Sequence, residues 1–466
     1  MTTYRTLHEI TNWIPEDDPV QNLTLLSLVT LIEAGAAAPP SVHVSNWHTN
    51  FRDLQRHSIP HLNPDLFWEG VYMLSIHHGM AQIMGKHGVP ITTPSTPPKN
   101  QFLENIRLYE PNLWRNTHAL REVRWLLWER IAKHRSLTIP FSVFYETFQK
   151  EHELIFSKTQ VQTAYAAFHT ASNKRFLLLS GLSGTGKTQL LLQFAQSYLN
   201  AGKLNPQDHI LKISVSPDWR DPSPLLGYIN PMVDKSDQLR FVRGELTDFL
   251  IRAHKYPLLP FFLILDEMNL ARVELYFAPL LSAMETPEEP IVIHGERGAP
   301  SGIPGQIDRW PSNLFISGTV NMDETTHPFS DKVLDRAFTM EFWEIDIEAY
   351  LQKNIPVQYH EVLSGLYHAL LPAHCHFGYR VLKEIQLFLN NVEKMGGGKD
   401  LEKTLLDQAI FSKVLPKIRG QHTPELEQAL RNASEICIRA QLNACTQKLV
   451  QMTSRLQNHG MTRFWS

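Results

Sequence analysis

The octapeptide Gly181-Leu182-Ser183-Gly184-Thr185-Gly186-Lys187-Thr188 directly follows the apolar run Phe176-Leu177-Leu178-Leu179-Ser180. Together they read as a strand that turns into a phosphate-binding loop. Glycine at these positions lets the backbone N–H groups from Gly181 through Ser183, Gly184, Thr185 and Gly186 fold inward as an anion cradle. Lys187 supplies a point charge for β- and γ-phosphates, and the Thr188 hydroxyl is suited to ligate Mg²⁺. A helix opening at Gln189 and stopping near Gly202 aims its positive dipole end at the same phosphates. A glycine-rich turn beside a lysine has the same text, and the loop alone does not separate kinases, GTPases, ATPase motors and transport ATPases.

Three further anchors lie downstream. Pro260-Phe261-Phe262-Leu263-Ile264-Leu265 is an uninterrupted apolar run ending in Asp266-Glu267, the pattern of a central buried strand with chemistry at its C-terminal edge. There Asp266 would hold Mg²⁺ through water and Glu267 would orient and polarise an attacking water, so hydrolysis is the expected outcome. The run Leu314-Phe315-Ile316-Ser317-Gly318-Thr319-Val320 ends in Asn321. An amide placed between the acid and a γ-phosphate can bond to both without adding charge, although an Asn that simply caps a strand would read alike. Val333-Leu334-Asp335-Arg336 then puts an arginine late in a helix. Its guanidinium either reaches a neighbouring subunit's γ-phosphate or pairs with Asp335 or Asp331.

The elements that must position these groups set the architecture. The chain has 466 residues, 43% hydrophobic and 20% charged, with a net charge of −3; it is long enough for two or three domains and gives no reason for whole-molecule attraction to nucleic acid. Its three cysteines, Cys375, Cys437 and Cys445, form no CxxC pair, which argues for free thiols in a reducing compartment. The N-terminus lacks the apolar core of a signal peptide, and the apolar stretch Leu23 to Ala38 is interrupted by Thr24, Ser27, Thr30 and Glu33. It reads as a buried helix, not a membrane span, and a cytoplasmic protein is expected.

Residues 1–150 hold six of the ten tryptophans (Trp13, Trp47, Trp68, Trp114, Trp125 and Trp128) and read as a mainly helical domain. In it Arg115, Arg121, Arg124, Arg130, Lys133 and Arg135 accompany Trp125 and Trp128 across one helix. That text fits a nucleic-acid grip, but better an amphipathic helix with buried Trp and solvated Arg tips, threaded by Glu122 and Glu129. His77-His78 has no partner at metal-ligand spacing, and Thr92 to Pro98, with three prolines, is a loop. Residues 151–345 alternate short apolar runs (Phe176–Leu179, Ile210–Val215, Phe261–Leu265 and Leu314–Gly318) with helical text, predicting an α/β domain, a parallel sheet covered on both faces. In residues 346–466 strands stop, and helices punctuated by Gly396-Gly397-Gly398 and Gly420 predict a helical lid.

Phosphate loop, acidic strand end, Asn-ended strand, arginine and helical lid, in that order, resemble the AAA+ layout, whose fold is a three-layer αβα domain with a helical lid. At finer grain, four segments are similar to McrB-like proteins, the NTP-hydrolysing motor subunits of methyl-directed restriction systems. They are Asp266 to Glu274 (DEMNLARVE), Gly318 to His327 (GTVNMDETTH), Asp218 to Tyr228 (DWRDPSPLLGY) and Phe377-Gly378-Tyr379-Arg380-Val381. The resemblance covers about residues 155–420 and implies that Lys187, Thr188, Asp266, Glu267, Asn321 and Arg336 carry the roles argued above. Arg380 matches the position of a second sensor arginine, with Arg419 as runner-up. The resemblance further implies Mg²⁺ with ATP or GTP as substrate, a homo-oligomeric ring of six subunits, and a separate McrC-like nuclease through which DNA is engaged. A MoxR-like chaperone that remodels a partner protein is the alternative. McrB-like proteins carry a Met-Asn-Thr-Ala-Asp-Arg type signature after the third strand, whereas here Asn321 is followed by Met322-Asp323-Glu324, which leaves ATP against GTP open. The first 150 residues resemble no modified-base-binding domain.

Overall fold

The computed structural model describes residues 18–33, 41–58, 62, 67–72, 74, 81–85, 103–108, 117–133, 138–150, 156–170, 174–232, 241–294, 303–322, 327–395 and 399–465. Outside them lie His77-His78, Thr92 to Pro98, Trp13, Trp114, Arg115, Arg135, Asp323-Glu324 and Gly396-Gly397-Gly398.

The N-terminal region is helical with one addition. Strands β1 (Ser41–His43), β2 (Ala81–Gly85) and β3 (Leu103–Leu108) form an antiparallel sheet in the order β1-β3-β2. These strands are short and carry no clean alternation of apolar and polar residues, so the sequence reading as mainly helical missed them. The Pro19–Glu33 helix is the predicted buried one: Leu23, Leu25, Leu26, Leu28 and Val29 are all buried, and the hydroxyls of Thr24, Ser27 and Thr30 bond back into their own helix. Trp47 Nε1 donates to Thr24 O at 3.0 Å, so the neighbouring Val44–Ser58 helix is pinned to it by a satisfied indole.

The Thr117–Ala132 helix corrects the expectation of solvated arginine tips. Trp125 and Trp128 are buried as predicted, but so are Arg124 and Arg130. Arg124 binds Glu33 at 2.7 Å and also Asp208, while Arg252 lies over the Trp125 ring at 5.1 Å. This helix is therefore a joint between the N-terminal helices and the following α/β unit: Arg124 and Arg130 are withdrawn from any nucleic-acid backbone, while Arg121 keeps a solvated tip beside Asp208 at 3.3 Å. The Phe141–Lys150 helix also packs across the expected boundary at residue 150: Phe144 meets Phe194 at 4.6 Å between ring centroids.

The α/β unit contains β4 (Phe176–Gly181), β5 (Ile210–Ser214), the hairpin β6 (Tyr228–Ile229) and β7 (Phe241–Val242), β8 (Phe261–Asp266), the hairpin β9 (Ile291–Val292) and β10 (Gln306–Ile307), β11 (Leu314–Asn321) and β12 (Phe338–Glu341). The parallel sheet predicted for this region is present, with five strands in the order β12-β4-β11-β8-β5. Successive side chains of a strand face opposite ways, and both directions are covered. Phe262 stacks on Phe315 at 4.7 Å and meets Tyr198 of the Lys187–Ala201 helix at 5.6 Å. Phe261, one residue earlier, meets Phe249 of the Thr247–Lys255 helix at 5.4 Å. Each such buried phenylalanine contributes about 2 kcal/mol. Asn313, buried at the start of β11, donates to the carbonyls of Ala253, Tyr256 and Leu259 and ties off the chain entering β8.

Beyond β12 the chain is helical, as expected, with one exception. The strands β13 (Arg419–Gln421) and β14 (Met461–Arg463) pair antiparallel and staple the end of the Asn443–His459 helix to the turn after Lys417. Asp407 accepts from the N–H groups of Ala444 and Cys445 and so caps that helix. Cys375, Cys437 and Cys445 are free and buried. Among the described residues no helix is long and apolar enough to cross a membrane.

Two predictions follow from the joint around the Thr117–Ala132 helix. Replacing Arg124 with Ala leaves Glu33 and Asp208 without their shared cation, and urea unfolding should show a loss of about 3–5 kcal/mol. Burial pushes the Glu129 carboxyl up to about 7, against the N–H of Leu258 and the charge of Lys133, which lower it. Its folded pKa lies above its unfolded one, so the penalty is absent below the unfolded pKa and complete above the folded one. Glu129→Gln should accordingly raise the melting temperature at pH 8 and leave it unchanged at pH 4; equal shifts at both would contradict this assignment.

Candidate functional site

The phosphate-loop text folds as predicted at the C-terminal end of β4. Gly184 and Gly186 take φ of 84° and 97°, left-handed values that side chains disfavour, and the Lys187–Ala201 helix begins immediately after them. Gly202 ends that helix, as the sequence indicates. Lys187 is buried, and its ammonium donates to the carbonyls of Gly181 and Leu182 at 3.0 and 2.7 Å. The Thr185 hydroxyl bonds to Leu182 O at 2.9 Å and braces the turn.

The sheet order carries Asp266, Glu267 and Asn321 to the same edge. β11 lies between β4 and β8, with Asn321 opposite Gly181 and Gly318 opposite Leu265. Asn321 Nδ2 donates to Glu267 Oε1 at 3.0 Å, and the Thr188 hydroxyl donates to Asp266 Oδ1 at 2.6 Å. Glu267 sits in the left-handed region (φ 55°, ψ 49°), a conformation that costs a residue with a Cβ about 1–2 kcal/mol. Its N–H is held there by the Thr319 hydroxyl at 2.9 Å, and Asn269, two residues on, donates to Asn321 O at 3.4 Å. Strain of this kind at a strand end aims the carboxylate into the cavity.

The cavity has a volume of about 580 Å³ and is lined by Ser183, Gly184, Gly186, Lys187, Thr188, Gln189, Asp266, Glu267, Asn321 and Arg380, among others. Every predicted nucleotide-site residue of the loop except Gly181 and Thr185 thus faces it directly, and those two shape the turn beneath. Asp266 and Thr188 offer two adjacent oxygen donors, a set that suits a hard divalent cation such as Mg²⁺. Burial raises the Asp266 carboxyl, but hydrogen bonds from Lys212, Thr188 and Thr319, with the Lys212 charge, hold it below the usual carboxylate range. It is ionised at neutral pH.

The helical region reaches the loop through its backbone. Arg380 N–H donates to Gly184 O at 3.2 Å at the start of the Tyr379–Met395 helix. A Cβ on Gly378 would lie 2.3 Å from that same carbonyl oxygen, so only glycine permits the approach. Arg380 and Lys383 both line the cavity from this helix. Arg419 lines no part of it; it pairs with Arg463 in β13 and β14.

Arg336 departs from expectation. The helix before it spans only Asp331–Leu334, and Arg336 follows its end. The guanidinium donates to Leu281 O at 2.9 Å and Lys332 O at 2.6 Å and pairs with Glu285 at 2.8 Å. The intrachain ion pair therefore forms with Glu285, 51 residues earlier in the chain, and not with Asp331 or Asp335. Proximity in sequence favoured the wrong acid; the fold brings the Ala278–Glu285 helix alongside.

Six residues that line the cavity were given no site role by the sequence reading: Gln193, Gln196, Lys212, Thr319, Tyr379 and Lys383. Thr319 lies in an otherwise apolar run two residues before Asn321, and Lys212 interrupts the apolar run Ile210–Val215. A charge or hydroxyl inside a buried strand is the signal that would have found both.

The model of a family described as "Domain of unknown function (DUF8727)" matches residues 337–461, the last strand of the sheet and the helical region beyond it. No curated protein matches the chain. Among solved structures, the chain is similar to one titled "Closed State CryoEM Reconstruction of Hsp104:ATPyS and FITC casein", at 17% identity and a TM-score of 0.34, covering 80% of this chain and 64% of that one. The fold and site define a mixed α/β protein with a five-stranded parallel sheet, a glycine-rich loop, and a polar cavity at the sheet's C-terminal edge beneath a helical region.

The contact between Gly378 and Gly184 yields a direct test. Gly378→Ala should push the lid helix off Gly184, seen as faster amide hydrogen exchange across residues 378–382. Unchanged exchange would mean the approach is not held by this glycine.

Proposed function

We propose that this chain is a AAA+ nucleoside triphosphatase hydrolysing ATP or GTP with Mg²⁺. The observation that carries the reading is the Asn321–Glu267 hydrogen bond of 3.0 Å, set on one cavity wall beside the 2.6 Å Thr188–Asp266 pair and the Lys187 ammonium. No bland strand-capping role explains an Asn on one buried strand holding a strained glutamate on the next.

In this reading the loop N–H groups and Lys187 bind the phosphates, with Arg380 approaching from the lid. Bound Mg²⁺, held by Asp266 and Thr188, would neutralise charge on the phosphate oxygens. Glu267 orients the attacking water and accepts its proton, and Asn321 fixes the carboxylate that does so. Action of Arg336 on a neighbouring subunit's nucleotide, in a hexameric ring, requires it to give up Glu285.

The finer reading is a McrB-like motor that drives a separate McrC-like nuclease on DNA. Its support is the sequence resemblance, together with the position of one resembling segment. Trp219, in Asp218 to Tyr228, packs edge-on against Tyr276 at 5.3 Å, and Tyr276 OH donates to Met268 O at 2.9 Å, directly after Glu267. That segment can therefore report the state of the acidic strand end. A MoxR-like chaperone would share this chemistry, and DNA separates the two: turnover indifferent to DNA, with a non-nuclease partner co-purifying, would refute the motor reading.

Lys187→Ala should abolish binding of fluorescent ATP and GTP analogues. Glu267→Gln should bind them at parental affinity while turnover falls about 10²–10⁴-fold; parental turnover would refute the role given to Glu267. Arg336→Ala should lose turnover and recover part of it when mixed with Lys187→Ala subunits. If mixed rings form without recovery, Arg336 acts only through Glu285.

A further inference from the structure

The ammonium of Lys212 lies 2.7 Å from Asp266 Oδ2. The other oxygen, Oδ1, accepts from the hydroxyls of Thr188 and Thr319 at 2.6 and 2.8 Å. The carboxylate best placed to hold a divalent cation is therefore already matched by a cation of the chain itself. The charged groups lining the cavity are Asp266 and Glu267 against Lys187, Lys212, Arg380 and Lys383. A free dication entering such a site meets an excess of positive charge, and must also displace an ammonium at contact distance. A dication arriving on a nucleoside triphosphate carries net negative charge and meets attraction instead.

The displaced ammonium has somewhere to go. Gln193, on the Lys187–Ala201 helix, lines the same cavity and is buried, and its Oε1 has no hydrogen-bond partner among the described residues. A buried acceptor left unsatisfied costs about 1–3 kcal/mol, and a donor arriving there would recover that cost.

We infer that Lys212 is a resident counter-ion which closes Asp266 to free Mg²⁺ and yields it only to Mg²⁺ delivered with nucleotide, Gln193 Oε1 receiving the released ammonium. Lys212 is thus a positioning residue that makes metal entry conditional on nucleotide entry. The inference rests on the nucleotide reading proposed above.

Mn²⁺ is the probe, titrated by electron paramagnetic resonance into the full chain with and without a non-hydrolysable ATP or GTP analogue. Without nucleotide, Lys212→Met should bind Mn²⁺ roughly tenfold tighter or more than the parent, since a contact-distance cation has been removed. Lys212→Arg, which keeps the charge, should bind as weakly as the parent. With nucleotide, Gln193→Leu should bind Mn²⁺ more weakly than the parent, and without it no differently. Parental Mn²⁺ affinity in nucleotide-free Lys212→Met, with normal loading of both proteins in the ternary complex, would overturn the counter-ion role and leave the triphosphatase reading standing. Failure of the parent to load Mn²⁺ even with either analogue would overturn both.

Discussion

The eight-residue strand β11, buried along its whole length, is the constraint on which the site depends. It is hydrogen-bonded in parallel on both sides, to the strand that carries the glycine loop and to the strand that ends in Asp266. A one-residue slip would turn Thr319 and Asn321 to the wrong faces. The aromatic contacts of Phe315 with Phe262 and Tyr198 resist such a slip, and Asn313 anchors the strand's start with three hydrogen bonds. Site geometry is thus a by-product of core packing. Asn321 is held against Glu267 by residues six and more positions back along the chain, Phe315 and Asn313, and by what they pack on.

The electrostatics of the edge build on that placement. Asp266 is shielded from protonation by Lys212, Thr188 and Thr319, and Glu267 is held by its backbone in a strained conformation that Thr319 secures. Thr319 serves both acids at once, donating to one carboxylate and accepting from the other residue's N–H. Its neighbour along the strand, Gly318, leaves room for Met268 and Leu178, so the turn after β8 lies close over β11. The helical region meets the loop through backbone at Gly378 and Gly184, and Arg380 and Lys383 line the cavity from the same helix.

Much of this was legible in the text. The loop, the acidic strand end and the Asn-ended strand are short motifs whose residue types are dictated by local chemistry, and the apolar runs around them are long enough to declare buried parallel strands. The N-terminal sheet was not legible, because strands of three to six residues without alternation have no periodic signal. The Arg–Trp helix was half legible. Its tryptophans announced a buried face, but the burial of Arg124 depends on Glu33 and Asp208, which are far from it in sequence.

What the sequence by itself determined is the inventory of chemistry: an anion cradle with Lys187, oxygen donors at Thr188 and Asp266, and an acid and an amide at the ends of two buried strands. Periodicity and glycine placement suffice for that, since both act over a few residues. Only the tertiary structure decided who meets whom. It set Lys212 on Asp266, turned Arg336 onto Glu285, and folded the arginine helix inward as a joint. These are pairings between charges of low sequence specificity, several of which could exchange partners in the text. They are settled by which strands and helices the hydrophobic core brings side by side.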